Sequence, residues 1–87
     1  MNDLTRYRVC AGMNAPPNAK LIYFYLLDMA GHGKKIAISA KRLAKGIGIS
    51  TSATRKNLHR LKRLDMLTIT PCYTEDGGRL ANQYMLI

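Results

Sequence analysis

The chain has 87 residues, is 47% hydrophobic and sets 14 Lys and Arg against 5 Asp and Glu, a formal charge of +9. That length holds one modest core and excludes two domains, yet the apolar content suffices to fold without metal or disulfide staples. The charge points to a polyanionic partner, with DNA first, RNA second and an anionic membrane surface third.

Cys10 and Cys72 lie far apart, form no Cys-x-x-Cys, and have no histidine near them, since His32 and His59 stand alone. This spacing argues against a zinc site and fits free thiols in a reducing compartment. Met1-Asn2-Asp3-Leu4 begins no apolar leader, and the apolar run Leu21 to Met29 is too short to span a bilayer. The expectation is a cytoplasmic protein with no membrane partner and no cofactor.

Residues 1–14 are read as an N-terminal arm or short strand. Tyr7-Arg8-Val9-Cys10 fits a strand or arm in which Arg6 and Arg8 would touch phosphate, and fits a frayed terminus equally well. Residues 15–87 are read as the folded domain. Pro16-Pro17 opens a first helix, because proline in the first turn sacrifices no hydrogen bond. The helix is expected over Ala19 to Ala30, with Leu21, Ile22, Tyr25, Leu26 and Met29 as its buried stripe, Tyr23 and Phe24 widening it, and Tyr23 toward the less buried side. Gly31-His32-Gly33 ends it, and Ile36-Ala37-Ile38 reads as a short strand.

The next thirty residues carry the strongest signal. Ser39 and Ser50 each stand where a hydroxyl accepts from a first-turn N–H, so each opens a helix. Leu43, Ala44 and Ile47 form the inner face of the shorter helix, and Gly48 suits the left-handed exit from it. In the longer helix Thr54, Leu58 and Leu61 fall within roughly 60° of one another at 100° per residue. Leu64 and Leu67 are expected to continue this seam. Ser52, Lys56, His59 and Arg63 occupy the opposite face, flanked by Arg55 and Arg60. From Lys34 to Arg63 lie ten of the 14 Lys and Arg and no acid, whereas an ordinary solvated surface mixes both signs. Two helices, a tight turn and one-sided charge suit entry into a DNA major groove.

Leu67-Thr68-Ile69-Thr70 alternates as a half-buried strand, and Pro71 restricts pairing as at a sheet edge. Asp76-Gly77-Gly78 supplies the positive φ values of a tight hairpin, and Gln83-Tyr84-Met85-Leu86 returns as the last strand. The fold class is α+β, in the order α-β-α-α-β-β, with three helices and a small antiparallel sheet. The chain reads either as a small complete protein or as an N-terminal module of a longer one.

These pieces resemble a winged helix-turn-helix domain, most similar to the bacterial and phage group of replication initiators and small transcriptional regulators. The resemblance covers about residues 16–87. It rests on Ala19-Lys20-Leu21-Ile22-Tyr23, on Ile38-Ser39 through Leu43-Ala44 to Ile47-Gly48-Ile49-Ser50, on Leu58 through Leu67, and on Gly77 or Gly78 followed by Asn82-Gln83-Tyr84 and Leu86. The chain departs from the family's pattern in four places. Thr54 stands for a Val or Ile, Asn57 for a smaller residue and Asp65-Met66 for a glycine-bearing link, and Glu75 and Asp76 offset Arg79 in the wing.

The expected function is double-stranded DNA binding, with a recognition helix over about residues 51–64 in the major groove. Thr51, Ser52, Ala53, Arg55, Lys56 and His59 are the candidates for reading bases. Lys41, Arg42, Lys45, Ser50, Arg60, Lys62, Arg63 and Arg79 are the candidates for phosphate. The resemblance implies transcription regulation or initiation of plasmid or phage replication, as in mobile elements. A homodimer fits, because one such helix makes few base contacts, and so does a further domain or protein partner in a regulatory or replication complex. The rival reading is a winged-helix protein–protein module that does not bind DNA. No paired carboxylates, activated nucleophile, phosphate loop or metal spacing suggest an enzyme, and no catalytic or metal residue is expected.

Overall fold

The structure, a computed structural model, describes residues 11–87. The expected arm or strand at Tyr7 to Cys10 lies outside the described residues. The elements are α1 (Pro17–Ala30), β1 (Lys35–Ala37), α2 (Ala40–Ile47), α3 (Thr51–Arg63), β2 (Leu67–Tyr73) and β3 (Arg79–Leu86). Among the described residues these three helices and a three-stranded antiparallel sheet, in strand order β1-β3-β2, make a small α+β domain, and Ala11 and Gly12 are helical as well.

Pro16 leads into α1 in extended conformation and accepts the first helical bond from Lys20 N–H at 3.1 Å. Gly31 ends the helix at φ 76°, its N–H returning to the Leu27 carbonyl at 2.8 Å. A second left-handed glycine, Gly33, donates to the Leu86 carbonyl at 2.9 Å and so fastens the turn to the end of β3. β1 then pairs with β3, Ile36 opposite Tyr84. The strand is Lys35–Ala37 rather than Ile36 to Ile38, and Ile38 keeps an N–H bond to the Asn82 carbonyl at 3.4 Å while its side chain is buried in the core.

The core gathers Ile22 and Leu26 from α1, Leu43 from α2, Leu58 and Leu61 from α3, and Leu67 and Leu86 from the sheet, all at most 2% exposed. Full burial of each such side chain is worth about 1.5–3 kcal/mol. The inner face of α2 is as expected, with Leu43 and Ala44 buried and Ile47 partly so.

The α1 stripe is rotated from the expected one. Leu21 and Met29 are exposed, at 52% and 47%, while Tyr23 is buried. Nearly every residue from Leu21 to Leu27 is apolar or aromatic, so periodicity leaves the rotation of this helix open. Packing decides it, with Ala19, Ile22, Tyr23 and Leu26 turned inward. Tyr23 meets Phe24 edge-on at 5.4 Å, and its burial pushes the Tyr23 hydroxyl above the ordinary phenol range.

Leu64 is also exposed, against expectation, because α3 ends there. Asp65 turns left-handed at φ 56° and donates to the Lys62 carbonyl, and Met66 N–H reaches the Leu61 carbonyl, each at 3.0 Å. This pair of bonds is a Schellman closure with an aspartate in the glycine position. It swings Leu64 outward and delivers Leu67 to the core.

The hairpin strands are longer than the alternation suggested. β2 continues through Pro71 to Tyr73, and β3 begins at Arg79. Proline fits because β2 is an edge strand and the register shifts between Thr70 and Cys72. Of the two turn glycines only Gly77 takes a positive φ, 89°.

Candidate nucleic-acid interface

α3 is anchored by its seam. Thr54, Leu58 and Leu61 are buried, so the helix cannot rotate without exposing them. Thr54 is fully buried, and its hydroxyl donates to the Ser50 carbonyl at 2.9 Å. Both expected caps form. Ser39 Oγ accepts from Arg42 N–H at 3.1 Å and Ser50 Oγ accepts from Ala53 N–H at 3.0 Å. Gly48 joins the two helices at φ 88° in the left-handed region.

That anchoring decides what faces solvent. Ser52, Arg55, Lys56 and His59 are exposed along α3, and Thr51 and Ala53 are half-buried at its start. Arg60, Lys62 and Arg63 are exposed in its last turn, where cations also offset the negative end of the helix dipole. Lys41, Arg42 and Lys45 are exposed on α2. Ser50 Oγ serves as cap acceptor, which leaves its O–H as a donor at the start of α3. Asn57 turns back on its own helix, donating to the Ala53 carbonyl at 2.8 Å.

Arg79 lies on the hairpin, not on α3, yet it shares a cleft with Arg55 and His59. The cleft holds about 400 Å³, floored by Leu58, Ile69 and Tyr84. Arg79 Nη2 donates to Asn82 Oδ1 at 2.8 Å, and its guanidinium sits over the Tyr73 ring at 5.7 Å. Tyr73 and Arg79 are cross-strand partners, and Leu80 stands opposite Cys72. Tyr73, Leu80 and Asn82 were missed as neighbours of the site. The Asn82-Gln83-Tyr84 pattern was visible in the chain, but only the hairpin register sets Tyr73 against Arg79.

The hairpin tip is held by local polar bonds. Thr74 Oγ1 donates to the Asp76 carboxylate, and Thr74 N–H donates to the Gly78 carbonyl at 2.7 Å. The Thr74 hydroxyl and the backbone N–H groups of Gly78 and Asp76 hold the Asp76 carboxyl below its ordinary range. Asp76 is therefore occupied in closing the turn.

The Cys72 thiol is half-buried near the Thr70 carbonyl, at 3.7 Å. Among the described residues no three His, Cys, Asp or Glu converge, and no helix is long and apolar enough to cross a membrane. No protein-family model, curated protein or solved structure matches the chain.

Proposed function

We infer that the chain is a winged helix-turn-helix domain that binds double-stranded DNA, with α3 in the major groove and the β2–β3 hairpin as its wing. The observation that carries this reading is the acid-free cationic surface of α2 and α3, held in a fixed rotation by the buried Thr54, Leu58 and Leu61. A rigid helix with its basic face outward is what groove entry requires. Ser52, Arg55 and Lys56, near the N-terminal end of α3, reach base edges in this reading, and His59 lies one turn further on. Lys41, Arg42, Lys45, Arg60, Lys62 and Arg63 hold phosphates. The use is transcription regulation or initiation of plasmid or phage replication, inside the cell.

The test is fluorescence anisotropy with a random-sequence duplex at several salt concentrations. With about six phosphate contacts, log K should fall against log salt with a slope of about −5. Arg55→Ala should cost about 1–3 kcal/mol on a selected site and relax the base preference there. Absence of binding at low salt would remove the DNA reading.

A protein-interaction module is the second reading, favoured by the exposed Leu21 and Met29 on α1. It predicts a partner whose binding changes little with salt.

A further inference from the structure

We propose that the cleft between α3 and the β2–β3 hairpin is a binding site for a small organic anion, a single carboxylate or phosphate carried on an apolar ring. Arg55 and His59 from the helix and Arg79 from the hairpin all line it, and no acidic residue is among the described residues lining it. Leu58, Ile69 and the Tyr84 ring add apolar surface to the same lining. Leu80 adds an apolar wall that is 49% exposed. A volume of about 400 Å³ lies within the size range of small-ligand sites.

The cationic wall is partly organised in advance. Arg79 spends one N–H on Asn82 and lies over the Tyr73 ring, which restricts its rotamers and leaves further donors for a bidentate contact. An inorganic anion would use only these donors and would leave Leu80 and Ile69 in water. A ring attached to the anion covers them, so the two parts of the cleft select an amphiphilic ligand rather than a bare ion.

The consequence for regulation rests on the DNA reading. Arg55 is a base-reading candidate and Arg79 a phosphate candidate, so an occupant of the cleft takes both from DNA and lowers its affinity. Binding of the anion itself does not depend on that reading.

The experiment is a ¹H–¹⁵N NMR titration of the full chain with phenyl phosphate, and in parallel with inorganic phosphate. The expected result is saturable shifts at Ala40, Arg55, His59, Leu80 and Asn82, with phenyl phosphate about tenfold tighter than inorganic phosphate. Arg79→Ala should weaken both ligands about tenfold, and Leu80→Gln should weaken phenyl phosphate alone. Both positions are exposed, and retained helical circular dichroism would establish that the variants fold. Equal affinity for the two anions, or shifts spread equally to Lys20 and Lys34, would overturn the site. Phenyl phosphate should also raise the apparent Kd for a duplex measured by anisotropy. Duplex and phenyl phosphate binding together without competition would overturn the regulatory part. Phenyl phosphate bound by a protein that ignores DNA would leave the site standing and sink the DNA reading instead.

Discussion

Two single residues carry opposite lessons about local chemistry. Asp65 occupies a left-handed position at φ 56°, where an L side chain strains the backbone and an anion faces the negative end of α3. Asp65→Gly should therefore stabilise the fold by about 0.5–1 kcal/mol, raising Tm by about 3–6 °C in a calorimetric scan. A fall in Tm would mean that the carboxylate has a compensating role. Thr54 is the reverse case, a hydroxyl buried in an apolar seam. It is satisfied by the Ser50 carbonyl, which also accepts Thr54 N–H at 3.0 Å. Thr54→Val keeps the shape, leaves that carbonyl paired and removes a buried polar group. It should change stability by less than about 1 kcal/mol, in the stabilising direction, by urea denaturation. A larger loss would show that the hydroxyl bond fixes the start of α3.

At the scale of elements, α3 and the hairpin behave differently. α3 is held by core packing, so Leu61→Ala should cost about 2–5 kcal/mol, read as a lowered urea midpoint. The hairpin tip relies on the Asp76 carboxylate, whose affinity for a proton is lowered by the bonds it accepts. Such a group stabilises the turn fully above its ordinary value of 3.8, and the contribution fades as pH falls through the lowered value. Amide exchange at Gly78 should accelerate in that acid range before core amides such as Leu61 respond, and Asp76→Ala should abolish the pH dependence. Exchange that rises together at both sites would place the acid sensitivity in the core. The α1 rotation belongs to this scale too. A helix apolar on most sides offers several faces for burial, and its neighbours choose among them.

For the whole molecule the dominant quantity is the charge of +9, with ten cations and no acid over Lys34 to Arg63. Such a field favours fast, salt-sensitive association with polyanions. Half of those ten cations lie on α3, Arg55, Lys56, Arg60, Lys62 and Arg63, all of them exposed.

The sequence by itself determined what is local. Serine caps, the glycine turn between α2 and α3, the Thr54-Leu58-Leu61 seam, the hairpin turn and the order of six elements all depend on residues within a few positions of one another. Hydrogen-bond capping, φ preference and helical period act at that range, so they can be read along the chain. Only the tertiary structure decided which face of α1 is buried, that β2 runs through Pro71, and that Arg55, His59 and Arg79 share one cleft. Those outcomes depend on which elements meet and in what register. Arg79 lies 24 positions beyond Arg55 in the chain, and the β2–β3 pairing and the docking of α3 on the core bring the two to one cleft.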